Sequence, residues 1–399
     1  MSGEPHNPFV TLPPGQGTAA RSTGGGGGGG GAVRRGALSP RKDRPINRFT
    51  PLGFTGTARE LFGIQFVNIL LILVTIGIWT PWARVRKRRF FYNNTRILDD
   101  GLDYLATGFN LFKGWSLVVM VLAGFYALPL LGVPFLQEGA SGVILILYPW
   151  AINRSLRFNA RNIAWRDVRF DFTGTYFGSA WYLFLLPFIG VLSLGILMPV
   201  ASKGMREYVA RNYRFGKARF SGRGRLGHYY GAGVRTLLLG LLLIGGVTGL
   251  SALTIFNGFA AGPLAAGDLT VFQTNETAAA MLYLLPVGLF VVFLLTGGYY
   301  RALTRNIMVN ALRLQGGVRF RSRASGFRLA WIIVSNLILS VTSLGLLVPW
   351  AQVRQYGYLT RNTEIRPIAD MQGFIDRQAQ AGSSIGDAIG EAEGLEISF

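Results

Sequence analysis

The 399-residue chain contains no cysteine and only two histidines, His6 and His228. The first absence excludes disulfides, zinc–thiolate sites, thiol nucleophiles and lipidation at cysteine. The second leaves almost no material for imidazole metal sites or histidine acid–base catalysis. Charge is missing from the middle of long apolar blocks such as Leu61 to Ala83, Gly114 to Gln137 and Leu329 to Val353. Proton- or ion-coupled transporters usually carry an ionisable group there. No cleavable signal is expected: residues 1–59 are polar, with Gly24 to Gly31 reading as a flexible linker, so the first apolar block is expected to direct its own insertion.

What is present is apolar surface and positive charge. Half of the residues are hydrophobic, the mean hydropathy is +0.34 and the formal net charge is +21. Runs of about 20 uncharged residues, at 1.5 Å rise each, cross a ~30 Å hydrocarbon core. Seven candidate segments fall near 61–82, 115–136, 140–153, 177–201, 234–261, 278–300 and 327–351, the third being short enough to span only if its helix continues and Arg154 and Arg157 snorkel toward headgroups. The expected fold is therefore an all-α integral membrane protein, a polytopic helical bundle with internal repeats and about seven apolar segments. Residues 1–50 read as a disordered Gly/Pro/Arg-rich tail, 51–366 as the helical membrane domain and 367–399 as an acidic, mostly disordered tail. The positive charge sits between apolar blocks, which argues for anionic headgroups as the partner and against nucleic acid.

One cassette recurs. PWARVRKRRFFYNN begins at Pro81, PWAINRSLRFNARN at Pro149, PVASKGMREYVARN at Pro199 and PWAQVRQYGYLTRN at Pro349, with proline and asparagine 13 apart in all four. A fifth copy without the proline ends at Arg305 and Asn306. Three copies are preceded by a hydroxyl and a glycine six and four positions before the proline: Thr75 and Gly77, Ser193 and Gly195, Ser343 and Gly345. Asn68 and Asn336 each lie 13 residues before their proline. The repeat units run about 51–112, 113–168, 169–230, 231–318 and 319–366.

These motifs carry a resemblance. With Phe54-Thr-Gly56 and Phe172-Thr-Gly174 before the helices, Thr75-Ile-Gly-Ile-Trp-Thr-Pro-Trp-Ala83 at the end of one apolar block, and Pro349-Trp350-Ala351 at the end of another, the chain resembles the YjgN family of bacterial inner-membrane proteins. The resemblance covers roughly residues 50–366. It implies a multi-pass protein of the bacterial cytoplasmic membrane and brings no activity, substrate or catalytic residue. The middle copy departs from the pattern at Val200, where the others have tryptophan.

Charge places the basic loops and the C-terminus in the cytoplasm, because the two hairpin-closing loops carry no Lys or Arg. Seven plain crossings conflict with that assignment, since the first, fourth and seventh blocks have basic residues on both sides. Broken or re-entrant helices turning near Gly77, Gly195, Gly345 and Pro187 remove the conflict; seven plain spans with an exposed N-terminus are the alternative.

Arg86, Arg89, Arg154, Arg157, Arg161, Arg211, Arg305, Arg354 and Arg361 are the candidate contacts for anionic lipid or an anionic solute. Plain anchoring beside Trp82, Trp150 and Trp350 is the competing explanation. Asn68, Thr75, Ser193, Asn336 and Ser343 are candidate intramembrane polar positions, either lining a pathway or holding helices together. No cofactor, metal or catalytic residue is implied, and an enzyme is not expected. The functional expectation is a channel or transporter-like protein with a basic cytoplasmic mouth. The alternative is a non-transporting membrane organiser that binds anionic lipid or a partner protein through its arginine faces.

Overall fold

The computed structural model describes residues 48–131, 135–259 and 276–380. The expected disorder of residues 1–47 and 381–399 lies outside these. The expectation of an all-α bundle is overturned, because the basic loops between the helices are strands. Eleven short strands make one antiparallel sheet: β1 (Thr50–Pro51), β2 (Gly53–Phe54), β3 (Thr95–Ile97), β4 (Asp100–Tyr104), β5 (Ile163–Trp165), β6 (Val168–Phe172), β7 (Tyr213–Phe215), β8 (Ala218–Ser221), β9 (Arg313–Leu314), β10 (Val318–Ser322) and β11 (Thr363–Arg366). Their order is β1-β11-β10-β9-β8-β7-β6-β5-β4-β3-β2. Both ends of that order lie on one extended segment around Leu52, so the sheet curls into a nearly closed barrel and leaves little free edge. Leu52 N donates to Thr363 O at 2.8 Å across the junction.

The physical cause is period-two patterning. In Val168-Arg-Phe-Asp-Phe172 and Val318-Arg-Phe-Arg-Ser322, alternate residues point inward and the charged ones outward. Leu98 with Asp99, and Arg166 with Asp167, have positive φ and make tight two-residue turns. Arg166 tolerates that conformation beside two partners, the Asp100 carboxylate and the Trp165 ring.

Among the described residues five helix pairs leave the barrel. The first is α1 (Ala58–Val74) with α2 (Thr80–Asn93); the second is α3 (Gly108–Ala127) with α4 (Leu136–Arg161). The third is α5 (Tyr176–Leu192, with a π stretch at Ala180–Leu185) with α6 (Met198–Asn212). The fourth is α7 (Leu226–Phe259) with α8 (Glu276–Ala311), and the fifth is α9 (Gly326–Thr342) with α10 (Val348–Arg361). The blocks 61–82, 177–201 and 327–351, expected as single broken or re-entrant spans, are each two helices. Among the described residues three helices are long and apolar enough to cross a membrane, Gly108–Ala127, Leu226–Leu253 and Leu284–Ala311, against the seven segments expected.

The hydroxyl-x-glycine signature decides which pairs are short. Gly77, Gly195 and Gly345 have φ of 87°, 86° and 88°, and their N–H groups close back on Ile72, Gly190 and Ser340 carbonyls, a helix stop that favours glycine. The hydroxyl accepts from the amide four residues on, as in Trp79 N to Thr75 Oγ1 (3.0 Å), and the proline then sits in the first turn of the next helix. The second copy has Val143 and Leu145 at those positions, and α4 runs straight through Pro149.

A terminal asparagine closes four of the five pairs. Asn94, Asn162, Asn212 and Asn362 donate through Nδ2 to the carbonyl four residues earlier, at 2.7–2.9 Å. Their own carbonyls accept from Thr55, Leu105, Thr173 and Arg323, the residues leading into the first helix of the same pair. Both ends of a pair are thus bonded together on the barrel. Asn306 departs from this: α8 continues past it, and its side chain holds Ser322 and Ala324 instead. The barrel is filled by Leu102, Trp165, Val168, Phe215, Leu314, Val318 and Ile365, together with Phe374 and Ile375. The last two come from residues 371–380, which are helical although the sequence reading gave 367–399 to a solvated tail. Met371, Phe374, Ile375 and Gln378 fall on one helical face, which the acidic composition hid.

Candidate functional site

The short pairs end in apolar tips. Ile76, Leu194 and Leu344, the residues before the three turn glycines, are 93%, 95% and 94% exposed. Large side chains this bare, repeated three times, mark a surface built for an apolar surrounding. Neighbouring helices give their height. A methyl group on Gly108, at the start of α3, would run into the Trp82 indole, and one on Gly233 in α7 would lie 3.2 Å from Pro199. Trp82 and Pro199 stand only five and four residues past their turn glycines. The tips therefore stop about 7 Å beyond these levels, whereas α3 continues to Ala127, about 28 Å further.

Most of the nine singled-out arginines are spent on internal ties. Arg86 donates to Asn68 Oδ1 (3.4 Å) and lies over the Trp79 ring. Arg354 makes the same arrangement with Asn336 Oδ1 (3.1 Å) and Trp350, and adds Ser335 (2.7 Å). Arg89 reaches Ala106 O, and Arg157 reaches the Phe172 and Gly174 carbonyls. Arg161 pairs with Asp171 at 3.0 Å and Arg211 with Glu207 at 3.4 Å. Arg305 holds Thr363 Oγ1 at 2.6 Å. Arg154 and Arg361 are exposed. Asn68 and Asn336 are buried against the opposing helix of their own pair. Thr75, Ser193 and Ser343 lie at the tips, where they cap the turns.

Sequence reasoning missed a second set of arginines, on the outer face of the barrel. Arg214 stands directly opposite Arg219, Arg313 opposite Arg319, and Arg319 opposite Arg366. Like charges facing each other across a ladder are destabilising unless an anion lies between them. The Arg321–Glu364 pair at 2.7 Å offsets part of this row. Strand alternation in the loops was the available signal.

Where the barrel meets the helices lies a partly open cavity of about 520 Å³. Its walls include Ile97, Leu102, Ile163, Phe170, Val209 and Met308, and Arg206 is its single charged lining residue. Arg206 Nη2 donates to Thr304 Oγ1 at 2.9 Å, while its buried Nε has no hydrogen-bond partner. Burial pulls the guanidinium below its ordinary pKa. Arg206 and Arg88 both lie seven residues after their cassette proline, a correspondence visible in the sequence. Among the described residues no group of three or more His, Cys, Asp or Glu could hold a metal ion.

Residues 49–392 match the family described as "Bacterial protein of unknown function (DUF898)". The Salmonella typhimurium protein named Inner membrane protein YjgN is 24% identical over 357 residues, covering 79% of this chain and 88% of that protein. The proteins of the same name from Escherichia coli O157:H7 and K12 are 30% and 27% identical over 152 and 150 residues, 38% of each chain. No solved structure matches. A family match over most of the chain, on the residues that form the barrel and all five helix pairs, makes this chain a member of the YjgN family of bacterial inner-membrane proteins of unknown function.

Proposed function

We propose that the protein is a non-enzymatic organiser of the cytoplasmic leaflet of the inner membrane, binding anionic lipid rather than nucleic acid. In this reading the barrel and the C-terminus face the cytoplasm, the two long helix pairs cross the bilayer, with α4 returning beside α3 although it is not among the three helices long and apolar enough by themselves, and the three short pairs dip their tips into the near leaflet. The three bare tips carry the proposal: an aqueous setting penalises them, and interfacial helices bury apolar faces about 5–10 Å below the headgroups. Arg154, Arg361 and the outward arginines of the barrel supply the charge that meets the headgroups. The channel or transporter-like reading has less support, since the barrel axis is filled by apolar side chains and the cavity has apolar walls.

The absence of native cysteine makes the test clean. Single variants Ile76→Cys, Leu194→Cys, Leu344→Cys and Ser221→Cys would be labelled in intact cells and inverted vesicles with a membrane-impermeant maleimide. Ser221→Cys should react only from the cytoplasmic side, and the tip variants should resist labelling from both sides and be quenched by shallow brominated lipid. Tip labelling from the periplasm would defeat the proposal. Native mass spectrometry of Arg154→Ala/Arg361→Ala should show reduced retention of phosphatidylglycerol, and unchanged retention would count against a lipid role for these residues.

A further inference from the structure

The cavity joins features that the organiser role leaves unused. Its wall draws on α2, α6 and α8 and on β3 through β8, and its lining is apolar apart from Arg206, Tyr92 and Tyr213. Water is a poor occupant, since a buried water needs two to four polar partners. Arg206 makes no ion pair among the described residues, because the adjacent Glu207 is taken by Lys203, Arg211 and the Gly224 amide. A positive group walled by hydrocarbon fits a ligand with the opposite layout, a hydrocarbon ending in one negative charge. Burial pushes the Tyr92 hydroxyl up to about 12 and raises that of Tyr213, so both remain protonated donors.

Size narrows the class. An apolar cavity of about 150 Å³ takes one six-carbon benzene, so 520 Å³ has room for one chain of roughly 18 to 20 carbons. We propose that this cavity is a binding site for a single long-chain fatty acid, with the chain along the apolar wall and the carboxylate at Arg206.

Full-length protein, delipidated in mild detergent, would be titrated with the fluorescent fatty acid cis-parinarate. One saturable site per chain, displaced by oleate, is expected. Arg206→Gln should weaken binding at least tenfold, and Ala210→Phe, which adds a ring to the wall, should abolish it. Arg59→Gln, at an exposed position at the start of α1, should leave it unchanged. Thermal unfolding of each variant separates lost binding from lost fold; if Arg206→Gln fails to fold, Ala210→Phe and Val309→Phe decide the matter. Absence of saturable binding overturns the proposal. So does displacement by phosphatidylglycerol but not oleate, or unchanged affinity in the folded variants.

Discussion

Replacing Asn336 by leucine puts a number on the tie within the last short helix pair. Its side chain donates to Ala351 O at 2.9 Å and accepts from Arg354 Nη1 at 3.1 Å. In soluble proteins a neutral bond of this kind contributes about 1 kcal/mol and a charge-assisted one about 1.5–3 kcal/mol. Two effects lower the sum. Arg354 keeps Ser335 at 2.7 Å and the Trp350 face, and interhelical hydrogen bonds in membrane proteins average about 0.6 kcal/mol with a maximum near 1.7. About 1.5–2 kcal/mol is therefore expected for Asn336→Leu. Asn68→Leu, which loses a long 3.4 Å bond, should cost about 0.5 kcal/mol. The middle short pair supplies an internal control: the corresponding positions are Leu186 and Gly204, and a methyl on Gly204 would lie 2.6 Å from Leu186 Cδ2. Asn336→Leu/Arg354→Gly recreates that apolar pair. Despite about 1 kcal/mol of glycine penalty in the helix, it should be less destabilised than the sum of the single changes by about 1 kcal/mol. Unfolding in mixed micelles by sodium dodecyl sulfate measures all four corners of the cycle. Additive costs, or equal costs for Asn68→Leu and Asn336→Leu, would refute the reasoning.

Gly174→Ala should lower stability by about 1–3 kcal/mol, because its methyl would lie 2.6 Å from both Phe172 Cζ and the Tyr208 hydroxyl, whereas Gly63→Ala, with nothing within 4 Å, should be neutral or slightly stabilising in the same micelle assay. Phe374→Ala should cost about 3 kcal/mol or more by emptying the barrel end, read as increased hydrogen exchange across β7 to β10. The Tyr92 phenol is held up to about 12 in the fold, so the unfolded chain loses this proton first and stability falls as pH rises from about 10 to about 12. Tyr92→Phe should flatten that part of the stability–pH curve, and an unchanged slope would count against burial of the hydroxyl.

The helix ends were legible because each rests on a local requirement. A turn with positive φ favours glycine at position 77, a hydroxyl serves the amide four residues on, and a side-chain amide closes a helix on its own backbone. The barrel was hidden by its own charge. The loop cations that mark topology include Arg169, Arg319 and Arg321, and each is the outward half of an alternating strand whose inward half is Val168, Phe170, Val318 or Phe320. Strands of two to five residues also fall below the window in which an apolar period stands out, and their stability comes from pairing between segments far apart in sequence, as β1 does with β11. The candidate contact arginines lie on helices, but counting cations says nothing about whether a carbonyl such as Phe172 O already occupies the guanidinium of Arg157. The cavity escaped notice for a related reason: its wall is assembled from nine elements, each of them individually unremarkable.

The arrest of three helix pairs so soon after Trp82 and Pro199 has a mechanical consequence. Of the ten helices rooted on the barrel, six end at the shallow level and only the four of the long pairs continue. On the cytoplasmic seating proposed above, the body would take up far more lateral area in one leaflet than in the other. Such a wedge crowds the lipids on its broad side, and a membrane relieves that crowding by bending toward it. Sorting of the purified protein between flat and strongly curved vesicles would report that preference directly.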